Sequence, residues 1–239
     1  MNNLVVAADA KKLPSHVLNA TGKGNENIDS TMVTVPRIKL LQDMSPEVKK
    51  ASDRRIDGAE AGHLMLSSGQ EVFEELFVLN LKVNAGFVAF NNETNMPFRA
   101  MTAGEGADGM FSSITAAENA LISEGVNPDN IETRPGQQGP KSGYTVLESH
   151  RHHVLVLDPE TSTVKTPAHM DFIKTKVAIS KNWNTMIATS QGDRYSTVYR
   201  IGSKIQTWGD NSWYNYDISP YGFAQEALYE EADKIFASL

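Results

Sequence analysis

The fold is decided by the stretch Tyr195–Ile218, which reads YSTVYRIGSKIQTWGDNSWYNYDI. Two runs rich in β-branched and aromatic residues, Tyr195–Trp208 and Ser212–Ile218, flank the turn residues Gly209-Asp210-Asn211. Runs of this composition on either side of such a turn are typical of a β-hairpin. The stretch therefore predicts two antiparallel strands.

The side chains of the first predicted strand divide between two faces, because successive residues of a strand point in opposite directions. The two sets are Tyr195, Thr197 and Tyr199 on one face and Ser196, Val198 and Arg200 on the other. One face can pack on a core while the other carries rings and cations. That arrangement is typical of strand-built platforms for unpaired bases.

The wider segment Phe172–Tyr216 interleaves cations with aromatic rings, although the whole chain has a net charge of -7. Cations can contact phosphates, and each stacked base contributes roughly 1 to 3 kcal/mol. The alternative is that the rings are core residues and the charges form a solvated face. The candidate nucleic-acid-binding residues are Lys174, Lys176, Lys181, Arg194, Tyr199, Arg200, Lys204, Trp208, Trp213, Tyr214 and, from a preceding strand, Arg151.

Composition excludes several classes of protein. The 239 residues include no cysteine, which excludes disulfides, thiolate metal sites and a cysteine nucleophile. No run of about 18 apolar residues is present, and the N-terminus lacks a basic region followed by a hydrophobic core. We therefore expect no membrane partner and a cytoplasmic location.

The first half of the chain predicts a flexible arm over residues 1–30, followed by one domain over residues 31–239. Strand-like runs at His63–Leu66, Val72–Phe73, Leu76–Val83 and Phe87–Phe90 predict an antiparallel meander, with a turn at residues 84–86. Residues from about 91 to 143 are rich in glycine, proline and asparagine and predict a long inserted loop. A helix over Ser113–Ser123 is expected within the insertion.

The second half predicts short strands at Tyr144–Leu147 and His153–Leu157. A helix follows over Thr175–Ala188, with Trp183 on its apolar stripe, and a last helix spans Pro220–Phe236. The fold class is therefore α+β and β-rich, with a largely antiparallel sheet, two or three helices and the inserted loop. An OB barrel or a variant of it stays open, because the insertion and internal helix fit a five-stranded barrel poorly.

No motif indicates catalysis, a cofactor or a metal. Gly104–Gly109 has the spelling of a dinucleotide fingerprint but lacks the buried strand that should precede it, so a loop is expected. His150-Arg151-His152-His153 has no second cluster at ligand spacing and predicts strand-edge histidines. We expect a protein that is not an enzyme; a catalytic site assembled from scattered residues is the remaining alternative.

Several short motifs resemble a group of bacteriophage proteins that bind single-stranded DNA, the nearest being those of N4-like phages. The resemblance implies noncatalytic single-stranded DNA binding in the host cell cytoplasm, either in replication or as a cofactor of the phage RNA polymerase. The chain departs from better-known phage single-strand binders because its acidic end predicts a helix rather than a disordered tail. The motifs are Val35–Gln42 (VPRIKLLQ), Ser45–Val48 (SPEV), Lys174–Lys176 (KTK), Tyr199–Lys204 (YRIGSK) and Ser212–Tyr214 (SWY).

The expected partners are single-stranded DNA and either the phage RNA polymerase or replication proteins, and a homo-oligomer is left open. The rival hypothesis is a protein-interaction module, such as a polymerase accessory or virion component, whose aromatic residues contact a protein and not DNA.

Overall fold

The computed structural model describes residues 35–94, 96–98, 109–134, 137 and 139–238. The predicted arm of residues 1–30 and residues 104–108 of the glycine-rich motif lie outside these ranges. The elements within them are β1 (Ile38–Leu40), β2 (Leu64–Leu66), β3 (Glu71–Phe73), β4 (Leu76–Asn91), α1 (Ile114–Ser123), β5 (Ile131–Glu132), β6 (Tyr144–Asp158), β7 (Thr163–Ile173), α2 (Val177–Thr189), β8 (Thr197–Trp208), β9 (Asn211–Phe223) and α3 (Glu226–Phe236).

A six-stranded sheet forms the centre of the molecule. Its strand order is β5-β6-β4-β8-β9, and β7 also pairs with β6. All pairs are antiparallel except the short parallel pair of β5 with β6. The predicted β-rich α+β class with a largely antiparallel sheet is therefore confirmed. An OB barrel is not confirmed, since this sheet has six strands and a second sheet accompanies it.

The second sheet, in the order β1-β2-β3, spans the two edges of the large one. Arg37, just before β1, forms a parallel bridge with His169 of β7. On the other side, the Gln42 side chain donates to the Tyr214 carbonyl at 2.9 Å and accepts from the Tyr214 amide at 3.0 Å. Gln42 thus satisfies backbone groups on the β9 edge that would otherwise be open for pairing.

Two apolar clusters cover the two faces of the large sheet. On the face that we call inner, residues of β1 and β2 pack with Val78, Val154 and Trp183 of α2. On the opposite, outer face, α3 contributes Leu228 and Ala232 to a cluster around Leu79 and Leu155 of β4 and β6. A third cluster joins α1 to Ala89 and Val146 at the far end of β4 and β6. The predicted core position of Trp183 is confirmed.

The predicted turn at residues 84–86 is wrong, because β4 continues unbroken from Leu76 to Asn91. Gly86 serves close packing instead of a turn: a Cβ there would lie 2.8 Å from the Phe111 carbonyl oxygen. Phe87 and Phe111 exchange backbone hydrogen bonds at this point. The predicted meander is therefore correct only for the pair of β2 with β3, since β4 pairs with β6 and β8.

Other elements also differ from the prediction. The two short strands expected at residues 144–157 form the single strand β6, and β7, which no sequence pattern indicated, lies beside it. The last helix begins at Glu226 instead of Pro220, because β9 continues to Phe223. Proline is tolerated at Pro220 since β9 is an edge strand.

The helix predicted within the insertion is found at Ile114–Ser123, and the Ser113 side chain caps it by accepting from the Ala116 amide at 3.0 Å. Among the described residues, no helix is both long and apolar enough to cross a membrane.

Candidate nucleic-acid interface

The hairpin predicted from the sequence is formed by β8 and β9, which pair from Thr197 with Phe223 to Trp208 with Asn211. Gly209 and Asp210 make the turn, and Gly209 has a φ of 58°. A two-residue hairpin turn with positive φ at its first position favours glycine there.

The outer half of the hairpin, Lys204–Tyr214, is the hairpin tip, and Thr197–Tyr199 of β8 is the hairpin base. Trp208 at the tip is 83% exposed and Ile205 is 61% exposed. Gln206 lies opposite the half-buried Trp213, and Ile205 lies opposite the half-buried Tyr214. By strand alternation, Arg200, Lys204, Trp208 and Trp213 therefore share the outer face, beyond the part that α3 covers.

Tyr214 lies on the inner face and anchors the tip. A Cβ built on Gly62 would lie 2.6 Å from the Tyr214 ring, so this ring packs directly on the backbone that precedes β2. Tyr214 is thus a packing residue as much as a candidate stacking residue.

The placement of Tyr199 on an open binding face is wrong. Its side chain is 1% exposed, and its ring meets Trp183 at a centroid distance of 5.6 Å. The neighbouring Val198 is buried in the α3 cluster on the other side of the sheet. Both faces of the hairpin base are covered because α2 packs on one and α3 on the other.

The cations of the outer hairpin face are paired with carboxylates. Arg200 contacts Glu75 at 2.5 Å and Asp217 at 3.8 Å, and Lys204 contacts Asp217 at 3.1 Å. Lys181 on α2 contacts Glu148 at 3.0 Å. Such exposed pairs contribute only about 0 to 1 kcal/mol each. A phosphate can therefore replace these carboxylates at small cost.

Four other predicted residues lie away from the hairpin tip. Arg194 donates to Asn80 at 2.7 Å and to Asn184 at 2.5 Å, which fixes it between β4 and α2. Lys174 is exposed, with a φ of 58°, in a 3-10 turn after β7. Lys176 ends that turn with its Nζ 5.0 Å from the centroid of the Tyr216 ring.

Arg151, the fourth, is buried and lies in β6. Its Nε contacts Asp171 at 2.7 Å, and the Asp171 side chain is 1% exposed. The expectation of an accessible Arg151 in a groove is therefore wrong, because the residue belongs to a central strand and not to an edge.

The expectation of strand-edge histidines is wrong for the same reason, because these histidines also lie in the central strand β6. His152 is fully buried, stacked on Trp183 at a centroid distance of 4.6 Å. Burial, followed by the nearby Arg194, lowers the pKa of His152 well below its usual value. No group of three or more metal-ligating side chains was found in the described part of the chain.

The histidines belong to a directional chain of hydrogen bonds. Arg194 donates to the Asn80 oxygen, so the Asn80 amide group faces Nδ1 of His152 at 2.8 Å. The neutral His152 then donates from Nε2 to Ser180 Oγ at 2.7 Å, and Ser180 donates to Nδ1 of His150 at 2.8 Å. His150 completes the chain at Glu148, 3.0 Å away. This satisfied network positions α2 on the sheet.

Two features were missed by sequence reasoning. One is a groove of about 520 Å³ between the end of α2 and the end of β9, where Met186 and Ser190 face Pro220 and Phe223. The other is the carboxylate of Asp171, which joins Arg37 to Arg151 and thereby β1 to β6 and β7. The groove depends on the extension of β9 to Phe223, and the Asp171 contacts depend on β7. Neither was predicted from the sequence.

Comparison with known proteins gives a match to a protein family. The family model described as Pam3 phage gp34-like protein matches residues 7–239. Neither the curated proteins nor the solved structures contain a significant match.

Proposed function

The chain belongs to the Pam3 phage gp34-like protein family, and we propose that this phage protein binds single-stranded DNA without catalysis, through the outer face of the hairpin tip. The proposed setting is phage replication or transcription in the host cell cytoplasm.

The observation that carries the proposal is the pairing of exposed rings with cations on one strand face. Trp208 is 83% exposed and shares the outer face with Trp213, Lys204 and Arg200. An exposed tryptophan is costly to solvate and offers a large flat surface. Unpaired bases can stack on such rings, whereas bases inside a duplex cannot.

Charge supports a short contact with a single strand rather than a broad contact with a duplex. The net charge of -7 repels DNA from most of the surface. Lys204 and Arg200 can exchange Asp217 and Glu75 for phosphates because the existing pairs are exposed.

The resemblance to single-stranded DNA-binding proteins of N4-like phages supports the same proposal and adds candidate partners. These are the phage RNA polymerase and replication proteins. Their recruitment, and any self-association of the chain, are part of the proposal.

The test is a titration of the full chain with labelled oligothymidylate and with a duplex of equal length, followed by fluorescence anisotropy. We expect tighter binding of the single strand, and weaker binding at about 200 mM than at about 50 mM salt, with a slope of about -0.7 per phosphate contact. Equal affinity for the two forms would contradict the stacking mechanism.

A protein-binding function is the second candidate, and Ile205 favours it. This apolar side chain is 61% exposed and lies opposite Tyr214 on the inner face of the tip, and a base would gain little from it. Exposed apolar groups next to aromatic rings are common at protein interfaces. Absence of any oligonucleotide binding, with the fold intact, would favour this candidate.

A further inference from the structure

The outer face of the hairpin has a further exposed ring at the end opposite the tip. Tyr221 of β9 is 69% exposed, and its ring meets the Phe77 ring of β4 at a centroid distance of 4.7 Å. Phe77 packs against the outer apolar cluster that includes α3. The contact therefore places Tyr221 on the outer face, held by Phe77 with most of its side chain in water.

Arg200 lies next to this aromatic pair. It is opposite Phe77 in the pairing of β4 with β8, and opposite Ser219 in the pairing of β8 with β9. Tyr221 follows Ser219 by two positions in β9. The aromatic pair therefore has a cation beside it, on the same face as the rings and the lysine of the tip.

The Arg200 guanidinium lies along β8 in the direction of the tip. A Cβ built on Gly202 would lie 3.3 Å from one terminal nitrogen of Arg200 and 3.5 Å from its Cζ. Glycine at position 202 thus leaves room for the guanidinium to lie over the strand backbone. The next residue of β8 on this face is the second cation, Lys204.

One carboxylate marks the point where the two cations converge. Asp217 lies opposite Gly202, and its carboxylate contacts Lys204 Nζ at 3.1 Å and an Arg200 terminal nitrogen at 3.8 Å. An oxyanion therefore fits between these two cations. Because both ion pairs are exposed, a phosphate can take the place of the carboxylate at small cost.

We propose that the outer face of the hairpin is one continuous binding surface for single-stranded DNA, with Tyr221 as a second stacking position beyond the cations. Rings at both ends of a face, with cations between them, can hold an extended strand by its bases and its phosphates. This surface rests on the proposed function of the tip and extends it by a defined length. Trp213 and Tyr221 are eight positions apart in β9, or about 26 Å at about 3.3 Å per residue.

That length sets the number of nucleotides that the surface can hold. At a stacked spacing of about 3.4 Å per nucleotide, about 26 Å accommodates about eight nucleotides, and an extended strand needs fewer. An oligothymidylate of about 12 nucleotides can therefore reach both ends of the surface, whereas one of about three nucleotides cannot.

The test measures binding of both oligothymidylates to the full chain and its variants by fluorescence anisotropy. Tyr221→Ala should weaken binding of the longer oligonucleotide about fivefold or more, because one stacked base is lost. Tyr221→Phe keeps the ring and should bind as the unmodified chain does. The shorter oligonucleotide can occupy the tip alone, so Tyr221→Ala should change its affinity by about twofold or less. Equal losses for the two lengths would overturn the proposal.

Phe223→Ala is the matched control, since Phe223 is 76% exposed near the end of the same strand. A register shift between Val198 and Tyr199 places Phe223 opposite Thr197, which shares the inner face with Tyr199 by strand alternation. This variant should bind the longer oligonucleotide as the unmodified chain does. A loss equal to that of Tyr221→Ala would show that any exposed ring attracts the oligonucleotide, and would overturn the continuous surface.

Trp208→Ala separates this proposal from the proposed function of the tip. Weaker binding of the longer oligonucleotide in both Trp208→Ala and Tyr221→Ala supports the continuous surface. A loss in Trp208→Ala with normal binding in Tyr221→Ala overturns that surface and leaves the tip as the binding site. A loss in Tyr221→Ala alone overturns it by removing the tip from the contact. Absence of binding to the unmodified chain removes the proposed function and the continuous surface together.

Discussion

The base and the tip of the hairpin belong to the same two strands and contain the same kinds of residue, yet they have opposite environments. At the base, Tyr199 is 1% exposed beneath α2. At the tip, Trp208 is 83% exposed and no helix of the described residues covers it. The two rings are nine positions apart in one strand.

The difference shows that an aromatic residue in a strand becomes core or surface according to the elements that pack over it. Tyr199 and Val198 lie where α2 and α3 approach the sheet from opposite sides. The hairpin extends beyond both helices, so Trp208 lies past the region that they cover. Of Tyr199 and Trp208, only Trp208 can therefore stack on a base.

The largest effect is expected from opening the core beneath the hairpin base. Trp183→Ala should lower the free energy of unfolding by about 3 to 5 kcal/mol, because it removes a fully buried ring that contacts Tyr199 and His152. Trp208→Ala is the matched control at the tip and should change it by less than about 0.5 kcal/mol. Denaturant unfolding of both variants measures the difference. Similar losses would remove the contrast between base and tip.

The next largest effect is a loss of stability at acidic pH, which is caused by buried, neutral histidines. Burial lowers the pKa of His169 to about 4, and that of His152 falls in the same direction. The unfolded chain binds protons near a pKa of about 6.5, so it binds more protons than the folded chain between about pH 6.5 and pH 4. These two histidines therefore contribute to the free energy of unfolding above about pH 6.5, and this contribution is lost as the pH falls towards 4.

For His169 alone, the free energy of unfolding should fall by on the order of 2 kcal/mol between pH 7 and pH 4, after allowance for the partial exposure of this side chain. Unfolding at a series of pH values measures it. His169→Gln should reduce the dependence on pH, with carboxylate effects remaining below about pH 5. An unchanged pH profile in this variant would assign the dependence to other groups.

Part of this architecture is predictable from local sequence. The turn at Gly209 and Asp210, the apolar stripe that buries Trp183 and the Ser113 cap of α1 depend on neighbouring residues only, and the structure has all three. The outer-face set of the hairpin also follows from alternation, since Arg200, Lys204 and Trp208 are even-numbered residues of one strand.

Local sequence does not indicate which element covers which face of the large sheet. β7 includes Pro167 and several polar residues, so its strand pattern is weak, and its pairing with β6 makes Arg151 and His152 interior residues. Tyr199 is a core residue for a similar reason: the long-range packing of α2 on the inner face determines its burial. The shared Asp171 carboxylate likewise depends on strands distant in sequence.

At the tip, the expected effect is on affinity and not on stability. Trp208→Ala should weaken binding of oligothymidylate by about 1 to 3 kcal/mol, since one stacked base is lost. Ile205→Ala is the control on the opposite strand face and should leave affinity nearly unchanged. A larger loss for Ile205→Ala would place the stacking surface on the inner face of the tip.

The smallest effect is expected from the paired cations. Arg200→Ala and Lys204→Ala should each alter stability by less than about 1 kcal/mol, because their ion pairs are exposed. Each should also reduce the salt dependence of oligonucleotide binding by about 0.7 in slope, if one phosphate contact is lost. Lys181→Ala, on α2, is the comparison, and an equal change there would extend the interface beyond the hairpin.

Tryptophan fluorescence tests most directly whether the tip, and not the base, is the stacking surface. The chain has three tryptophans, and Trp208 and Trp213 lie at the tip whereas Trp183 lies in the core. We predict that oligothymidylate quenches the emission of the unmodified chain. In a Trp208→Phe/Trp213→Phe variant, the oligonucleotide should still bind by anisotropy while the remaining emission of Trp183 stays constant. Quenching that persists in this variant, or its absence from the unmodified chain despite binding, would contradict the account.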